Sequence, residues 1–387
     1  MKVELLSVWG DDNTVVDIAR VSYNKKADNY PQAANDKLLK YLADHNHWCY
    51  DEKTEIFTRR GWVYFKDLTT EDYVAEVFDF KNPKMQFVKP NQIYKNEYEG
   101  NMILAESGTC DYCVTPNHKM IFKKRNKKGY SKEFKINNAE EVYGKTKLML
   151  NSASIIPDYE INYNEYYEGY YKAFLLADGF KQNNKKICFR LKKESKIKSL
   201  LESIIFLDLS YKTKITSLGV TEIIVETEDA IWLQKSVNKC PNFNIFEKSY
   251  SFLKGMFDGF NNSDGNRKRN TYSYSSVSKS LIDCYSNIAV LLGFSVGKIS
   301  IEKREGNHNT LYKIIVLTRK HTVINNRGRV DEKIIFYSGN IYCVTVNSGF
   351  ILTRRNEKTL VCGNSPFSHP RLQFRLEIPI YVERQLV

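Results

Sequence analysis

Two aromatic-rich apolar runs, YYEGYYKAFLLADGF at 166–180 and SYSFLKGMFDGF at 249–260, each close on Asp-Gly about 80 residues apart. An approximate duplication constrains a fold more than any single motif. Each copy carries an apolar face that a neighbour has to cover. Helical and strand patterns mix around this pair from about Tyr163. Outside it the pattern changes. Between Glu55 and Leu150, short runs such as EIFTRRGWVYF, YVAEVFDF and KMQFVKPNQIY are separated by turn residues, which predicts an all-β unit. The stretch 334–364 returns to β alternation. A β unit interrupted by a duplicated α/β insert is the expected order.

The ends differ again. MKVELLSVW alternates as a strand should, and DKLLKYLADH places Leu38, Leu39 and Leu42 at helical spacing with Tyr41 beside them. The last 23 residues carry two Pro-containing turns and a strand-like run. A length of 387 residues accommodates two or three domains, and 42% apolar residues supply core material. The formal charge of +13 favours a polyanionic partner. Eight basic residues face one acidic residue, Glu133, between Lys119 and Lys135. No apolar run approaches the roughly 18 to 20 residues of a membrane span, and no signal-peptide pattern opens the chain. A cytoplasmic protein with no membrane partner is expected. The eight cysteines follow no secreted disulfide framework. Cys110 and Cys113 lack a second pair at zinc-finger spacing, so they read as strand thiols.

Cys49 and Asn364 matter for their chemistry. A thiol can attack the carbonyl before it, turning the Trp48–Cys49 amide into a thioester. The Ser365 hydroxyl can then accept the acyl group. Asn364 can close its side-chain amide on its own carbonyl as a succinimide and cut the bond to Ser365. Every attack is intramolecular, so proximity supplies most of the rate. Thr115-Pro116-Asn117-His118 resembles the Thr-x-x-His motif of inteins, and IYCVTVNSGF resembles the strand before an intein C-terminus. The resemblance implies that His118 protonates the departing amide nitrogen and Thr115 supports the scissile bond. It places Cys343 near the C-terminal reaction, where the family usually has Asp. No cofactor is implied for splicing. Gly363 stands where the family usually has a penultimate His, and Phe350 lies near the place of its upstream His. A hedgehog-like autoprocessing module would share the Cys start but lack the Asn-Ser end.

Deleting 49–364 joins YLADHNHW to SPFSHPRLQFRLEIPIYVERQLV. The joined string resembles flavin-dependent thymidylate synthase, and Ile18-Ala19-Arg20-Val21-Ser22-Tyr23 matches that family's early helix and turn. The resemblance implies FAD, NADPH, methylene folate and dUMP for the complete, homotetrameric host enzyme. It puts His369 at the flavin and nucleotide site and Arg384 and Gln385 near dUMP. Only 71 host residues are present, 48 before Cys49 and 23 after Asn364, so methylation by this chain alone is not expected.

Within the insert, 171–179 and 253–259 resemble the two LAGLIDADG helices of a homing endonuclease. The family packs these helices together and holds Mg²⁺ with an acidic residue at each C-terminal end. Asp178 takes that place in the first copy. In the second it is Phe260, with Asp258 two residues early and Asp264-Gly265 later; Asp258 is taken as the second ligand and catalytic residue. Lys181, Lys185, Lys186, Arg190, Lys192, Lys193, Lys196 and Lys198 fit a DNA-facing saddle. The implied target is double-stranded DNA at the intein-free host gene. The alternative is an insert that has lost cleavage and only binds DNA or acts structurally. The expected fold is thus an all-β Hint unit at 49–155 and 334–364, interrupted by an α+β LAGLIDADG unit at 156–333. α/β synthase fragments at 1–48 and 365–387 flank it.

Overall fold

The computed structural model describes residues 49–364, except 128, 234–238, 305–308 and 327, together with the backbone strands Lys2–Ser7 and Gln373–Glu377. The statements below concern those residues.

The β reading of 55–150 and 334–364 holds. One 11-stranded antiparallel sheet runs from His321–Ile324 through Lys147–Leu150, Lys119–Asn126, Lys358–Gly363, Phe350–Arg355, Thr54–Thr58 and Val74–Phe78 to Lys84–Val88, with three short strands off this path. Sequence-distant segments are therefore neighbours. Thr54 pairs with Arg355, and Cys362 pairs with Met120. A second, three-stranded sheet is a long ribbon in which Gln92–Glu106 pairs with Glu332–Thr345 over 14 residues, with Asp111–Val114 on its other edge. The hairpin that returns the chain to Asn364 turns on Asn356 and Glu357, at φ 45° and 63°. Positive φ at both turn residues matches the strand twist in a two-residue hairpin.

His321–Ile324 belongs to this sheet, although its sequence position lies within 156–333. The seam between Lys147–Leu150 and the ribbon is tied by a buried ion pair. Lys147 Nζ donates to Glu332 at 2.7 Å, and both side chains are almost fully enclosed. Glu332 also accepts from the Gly144 N–H at 2.9 Å, the Asn325 amide and the Tyr112 hydroxyl. A buried carboxylate needs such a set, because an unpaired charge there is heavily penalised.

The insert is built on two helices, α1 (Tyr163–Ala177) and α2 (Tyr250–Ser263). Asn162 caps α1 by accepting from Asn164 and Glu165, and Ser249 caps α2 by accepting from Phe252. They cross at glycines. A Cβ on Gly169 would stand 2.1 Å from the Phe252 carbonyl oxygen, and one on Gly255 would stand 1.9 Å from that of Tyr166. The two approaches are mirror contacts of one another, as a two-fold relation between the helices requires. Each helix leads into an antiparallel sheet, four strands in the first half and five in the second. Apolar residues of α2, such as Phe252 and Met256, share one core with Phe57, Met85 and Val361 of the β unit. The insert therefore packs on the sheet it interrupts.

The two outlying strands pair with each other, Lys2 opposite Glu377 and Leu5 opposite Phe374. The strand reading of MKVELLSVW and of the final run is met there.

Candidate functional site

Cys49 and Asn364 are both buried, with 2% and 1% of their surface exposed, Cys49 just before the bridged Tyr50 and Asn364 just after the strand Lys358–Gly363. Tyr50 pairs with Val114 on one side and Tyr342 on the other. The main chain of Cys49 is held by Thr115. Its N–H, which belongs to the Trp48–Cys49 peptide, donates to Thr115 Oγ1 at 3.2 Å, and its carbonyl accepts from the Thr115 N–H at 3.2 Å. The turn that presents Thr115 closes when the His118 N–H donates to the Thr115 carbonyl at 3.0 Å. It is pinned from outside, because the His118 carbonyl accepts from Ala139 and that of Pro116 from Glu140. His118 is buried with its ring edge-on to Tyr50, centroids 4.5 Å apart.

Cys343 meets the N-terminal nucleophile. Its thiol donates to the Val344 carbonyl at 3.3 Å, and its closeness, followed by burial, pushes the Cys49 thiol well above its usual range. Cys49 therefore rests as a protonated thiol, and an attack on the preceding carbonyl has to be accompanied by proton removal. The expectation tied Cys343 to the C-terminal reaction. The register explains the difference: Tyr50 and Tyr342 exchange hydrogen bonds at 2.9 and 3.0 Å, which sets residue 343 directly opposite residue 49.

At the other junction, the Asn364 N–H donates to the Gly349 carbonyl at 3.0 Å and its Nδ2 donates to the Val346 carbonyl at 3.2 Å. Tyr50 Oη donates to the Gly363 carbonyl at 2.5 Å. Sequence reasoning passed over Tyr50, which carried no signal beyond its place beside Cys49. The structure also accounts for Gly363. A Cβ there would stand 2.7 Å from both the Cβ and the carbonyl oxygen of Lys119, so no side chain fits. Phe350 packs edge-on against Phe80 at 4.8 Å and belongs to the core. A second missed group is Arg355. Its guanidinium joins Asp51 at 3.0 Å to Asp111 at 2.5 Å, bracing the strand two residues after Cys49. Burial would lower its pKa, but the two carboxylates raise it above its ordinary value.

In the insert, Asp178 and Asp264 are the equivalent residues. Asp178 follows α1 and Asp264 follows α2, and each donates its N–H one turn back, to Phe174 at 2.8 Å and Phe260 at 3.2 Å. The repeat offset is thus 86 positions, relating Gly169 to Gly255 and Asp178 to Asp264. Asp258 does not join this pair. It lies within α2, accepts from Tyr166 Oη at 3.0 Å, and pairs with Lys254 one turn before it. The misalignment came from matching the earlier Asp-Gly; matching the glycines at the crossing would have selected Asp264.

Lys196 Nζ bridges the pair, 3.3 Å from Asp178 Oδ2 and 2.9 Å from Asp264 Oδ1. Burial first, then the charge of Asp264, raises the Asp178 carboxyl above its ordinary value, and Lys196 opposes this. Mg²⁺ takes one or two carboxylates and completes its shell with phosphate and water. Here the cation these two carboxylates face is an ammonium. Among the described residues no group of three or more His, Cys, Asp or Glu gathers to hold a metal. Cys110 and Cys113 are enclosed in the β core, where burial pushes the Cys113 thiol up to about 12.

The basic cluster of the first half divides between paired and exposed residues. Lys186 pairs with Glu226, Arg190 pairs with Glu222, and Lys181 donates to the Ile231 carbonyl. Lys185, Lys192, Lys193 and Lys198 are exposed. Ser365, His369, Arg384 and Gln385 lie outside the described residues. Among the described residues no helix is long and apolar enough to cross a membrane.

No family model matches the chain. It is 23% identical over 373 residues to ribonucleoside-diphosphate reductase subunit beta of Aquifex aeolicus, covering 84% of this chain and 51% of that protein. It is 30% identical over 109 residues to the ATP-dependent Clp protease proteolytic subunit of Chlamydomonas moewusii, covering 28% of this chain and 11% of that one. It is 22% identical to the DNA-directed RNA polymerase subunit beta C-terminal section of Stigeoclonium helveticum, covering 86% and 38%. The chain therefore spans about half or less of each of these relatives. Solved structures it resembles include full-length DUF199/WhiA from Thermatoga maritima, at 14% identity and TM-score 0.30, covering 42% of this chain and 53% of that one. A splice-inactive AceL NrdHF class 3 split intein aligns at 10% identity and TM-score 0.29, covering 82% and 98%. I-DmoI in complex with DNA and Mn aligns at 14% and 0.28, covering 40% and 90%.

Proposed function

We propose that the chain is a self-splicing protein that excises Cys49–Asn364 and ligates Trp48 to Ser365. The observation that carries this reading is the hydrogen bond that joins the two buried junctions, from Tyr50 beside Cys49 to Gly363 before Asn364. Thr115 holds the nitrogen of the first scissile bond. Cys49 Sγ attacks the Trp48 carbonyl carbon, forming a thioester and freeing the Cys49 amine. Ser365 Oγ takes the acyl group and releases the thiol. Asn364 Nδ2 attacks its own carbonyl carbon, closing a succinimide and releasing the Ser365 amine, which recaptures the acyl group as a peptide. His118 and Cys343 are assigned to proton handling at the first step. Two further features support the reading. The strands outside the junctions already pair with each other. Two relatives with unrelated names each cover more than four fifths of this chain but only 51% and 38% of their own, as expected of a segment lodged in different hosts.

The insert is read as a DNA-binding or structural module that does not cleave, because Lys196 occupies the carboxylate pair. The host is read as flavin-dependent thymidylate synthase, with His369, Arg384 and Gln385 serving FAD and dUMP in the complete enzyme.

Mass spectrometry of the purified chain tests the splicing. The expected products are an excised ~36 kDa protein, at ordinary residue masses, and a ligated 71-residue fragment. Asn364→Ala should block ligation and leave a thioester that added thiol traps. Ligated product from that variant would overturn the assignment. An intein-free duplex with Mg²⁺ tests the insert: binding without cleavage is expected, and nicking lost in Asp178→Asn would restore the endonuclease reading.

A further inference from the structure

Tyr50 is enclosed to 1% exposure beside the nucleophile, and its hydroxyl is spent on the opposite junction. We infer that Tyr50 is a positioning residue for the cleavage after Asn364, coupling the C-terminal junction to the strand that carries Cys49. This rests on the splicing reading and adds to it a group that acts on neither reacting atom.

The geometry is a clamp on one peptide plane. The Gly363–Asn364 peptide has its oxygen held by Tyr50 Oη at 2.5 Å and its N–H held by the Gly349 carbonyl at 3.0 Å. With that plane fixed, the side-chain amide of Asn364 reaches its own carbonyl by rotating only the torsions of Asn364 itself. Restricting the search to those torsions is the gain in effective concentration that makes a ring closure fast. Residue 363 cannot supply the clamp. Lys119 crosses so closely that only glycine fits, so the group that orients Asn364 has to come from another strand. Tyr50 is itself immobile. Its ring stacks on Phe65 at 5.0 Å and meets the edge of His118. Burial, then the neighbouring Cys362, Cys343 and Cys49 thiols, pushes its pKa well up, so the hydroxyl remains a donor throughout the working pH range.

The experiment separates the two junctions in the full chain. Cleavage after Asn364 is followed in Cys49→Ala, and thiol-induced cleavage at Trp48–Cys49 in Asn364→Ala, each with and without Tyr50→Phe. The expected result is a loss of about 10- to 100-fold in the first reaction and less than about 2-fold in the second. Faster hydrogen exchange of the Asn364 amide should accompany it, with the thermal transition retained. Equal rates after Asn364 with and without the hydroxyl would overturn the inference while leaving splicing intact. Equal slowing of both reactions with a lowered thermal transition would reduce Tyr50 to a packing residue. Absence of reaction at either junction in every background would overturn the splicing reading and the coupling with it.

Discussion

In the β unit the contacts that matter join residues more than 200 positions apart. Tyr50 reaches Gly363, Arg355 reaches Asp51, and the Gln92–Glu106 strand zips against Glu332–Thr345. In the insert, the central contact relates a helix to a copy of itself: Gly169 and Gly255 at the crossing, Asp178 and Asp264 at the ends. The first region is asymmetric and closes its charges inside, as in the Lys147–Glu332 pair. The second is two-fold and gathers its charges at the helix ends. The difference teaches where each region is vulnerable. A unit closed by buried pairs fails when one partner is lost, whereas a unit built on a backbone crossing fails when atoms are added.

The largest effect is expected from Lys147→Met. Removing the ammonium leaves the enclosed Glu332 carboxylate without its counter-charge, which costs about 3–5 kcal/mol by the behaviour of broken buried pairs. Chemical denaturation should show it, and ligation should fall with the fold. If stability were unchanged, the seam would be held by the ribbon hydrogen bonds and not by the charges.

Gly255→Ala is next. Its methyl would stand 1.9 Å from a main-chain oxygen, so the helices must separate, at about 1–3 kcal/mol or more for overpacking. Gly169→Ala should cost a similar amount, because the two contacts mirror each other. A large difference between the variants would break the two-fold comparison.

The smallest effect tests the carboxylate pair. The Asp178 carboxyl holds its proton more tightly in the fold than in the unfolded chain, so ionising it lowers stability. That loss is absent below the ordinary aspartate value of 3.8 and develops as pH rises through the raised folded value. Asp178→Asn should therefore melt higher than the parent at neutral pH, with the gain vanishing in acid. A lower melting temperature at neutral pH would mean that the Lys196 contact outweighs burial.

Much of this protein was written in local pattern. Alternation marked the β unit, because side chains on a half-buried strand change face at every residue. The duplicated run marked the helix pair, and Cys49 and Asn364 were found because their chemistry depends on residue type and chain position alone. Contacts between distant positions were not legible. Nothing local says that Cys343 stands opposite Cys49, that Lys119 leaves room only for glycine at 363, or that Tyr50 donates to Gly363. The repeat was visible but its register was not, since two Asp-Gly pairs lie six residues apart and only the crossing glycines select Asp264. Residue type and spacing determined which groups could react and which segments would form strands or helices. Strand register and backbone approach, set by packing between segments far apart in sequence, decided which groups meet.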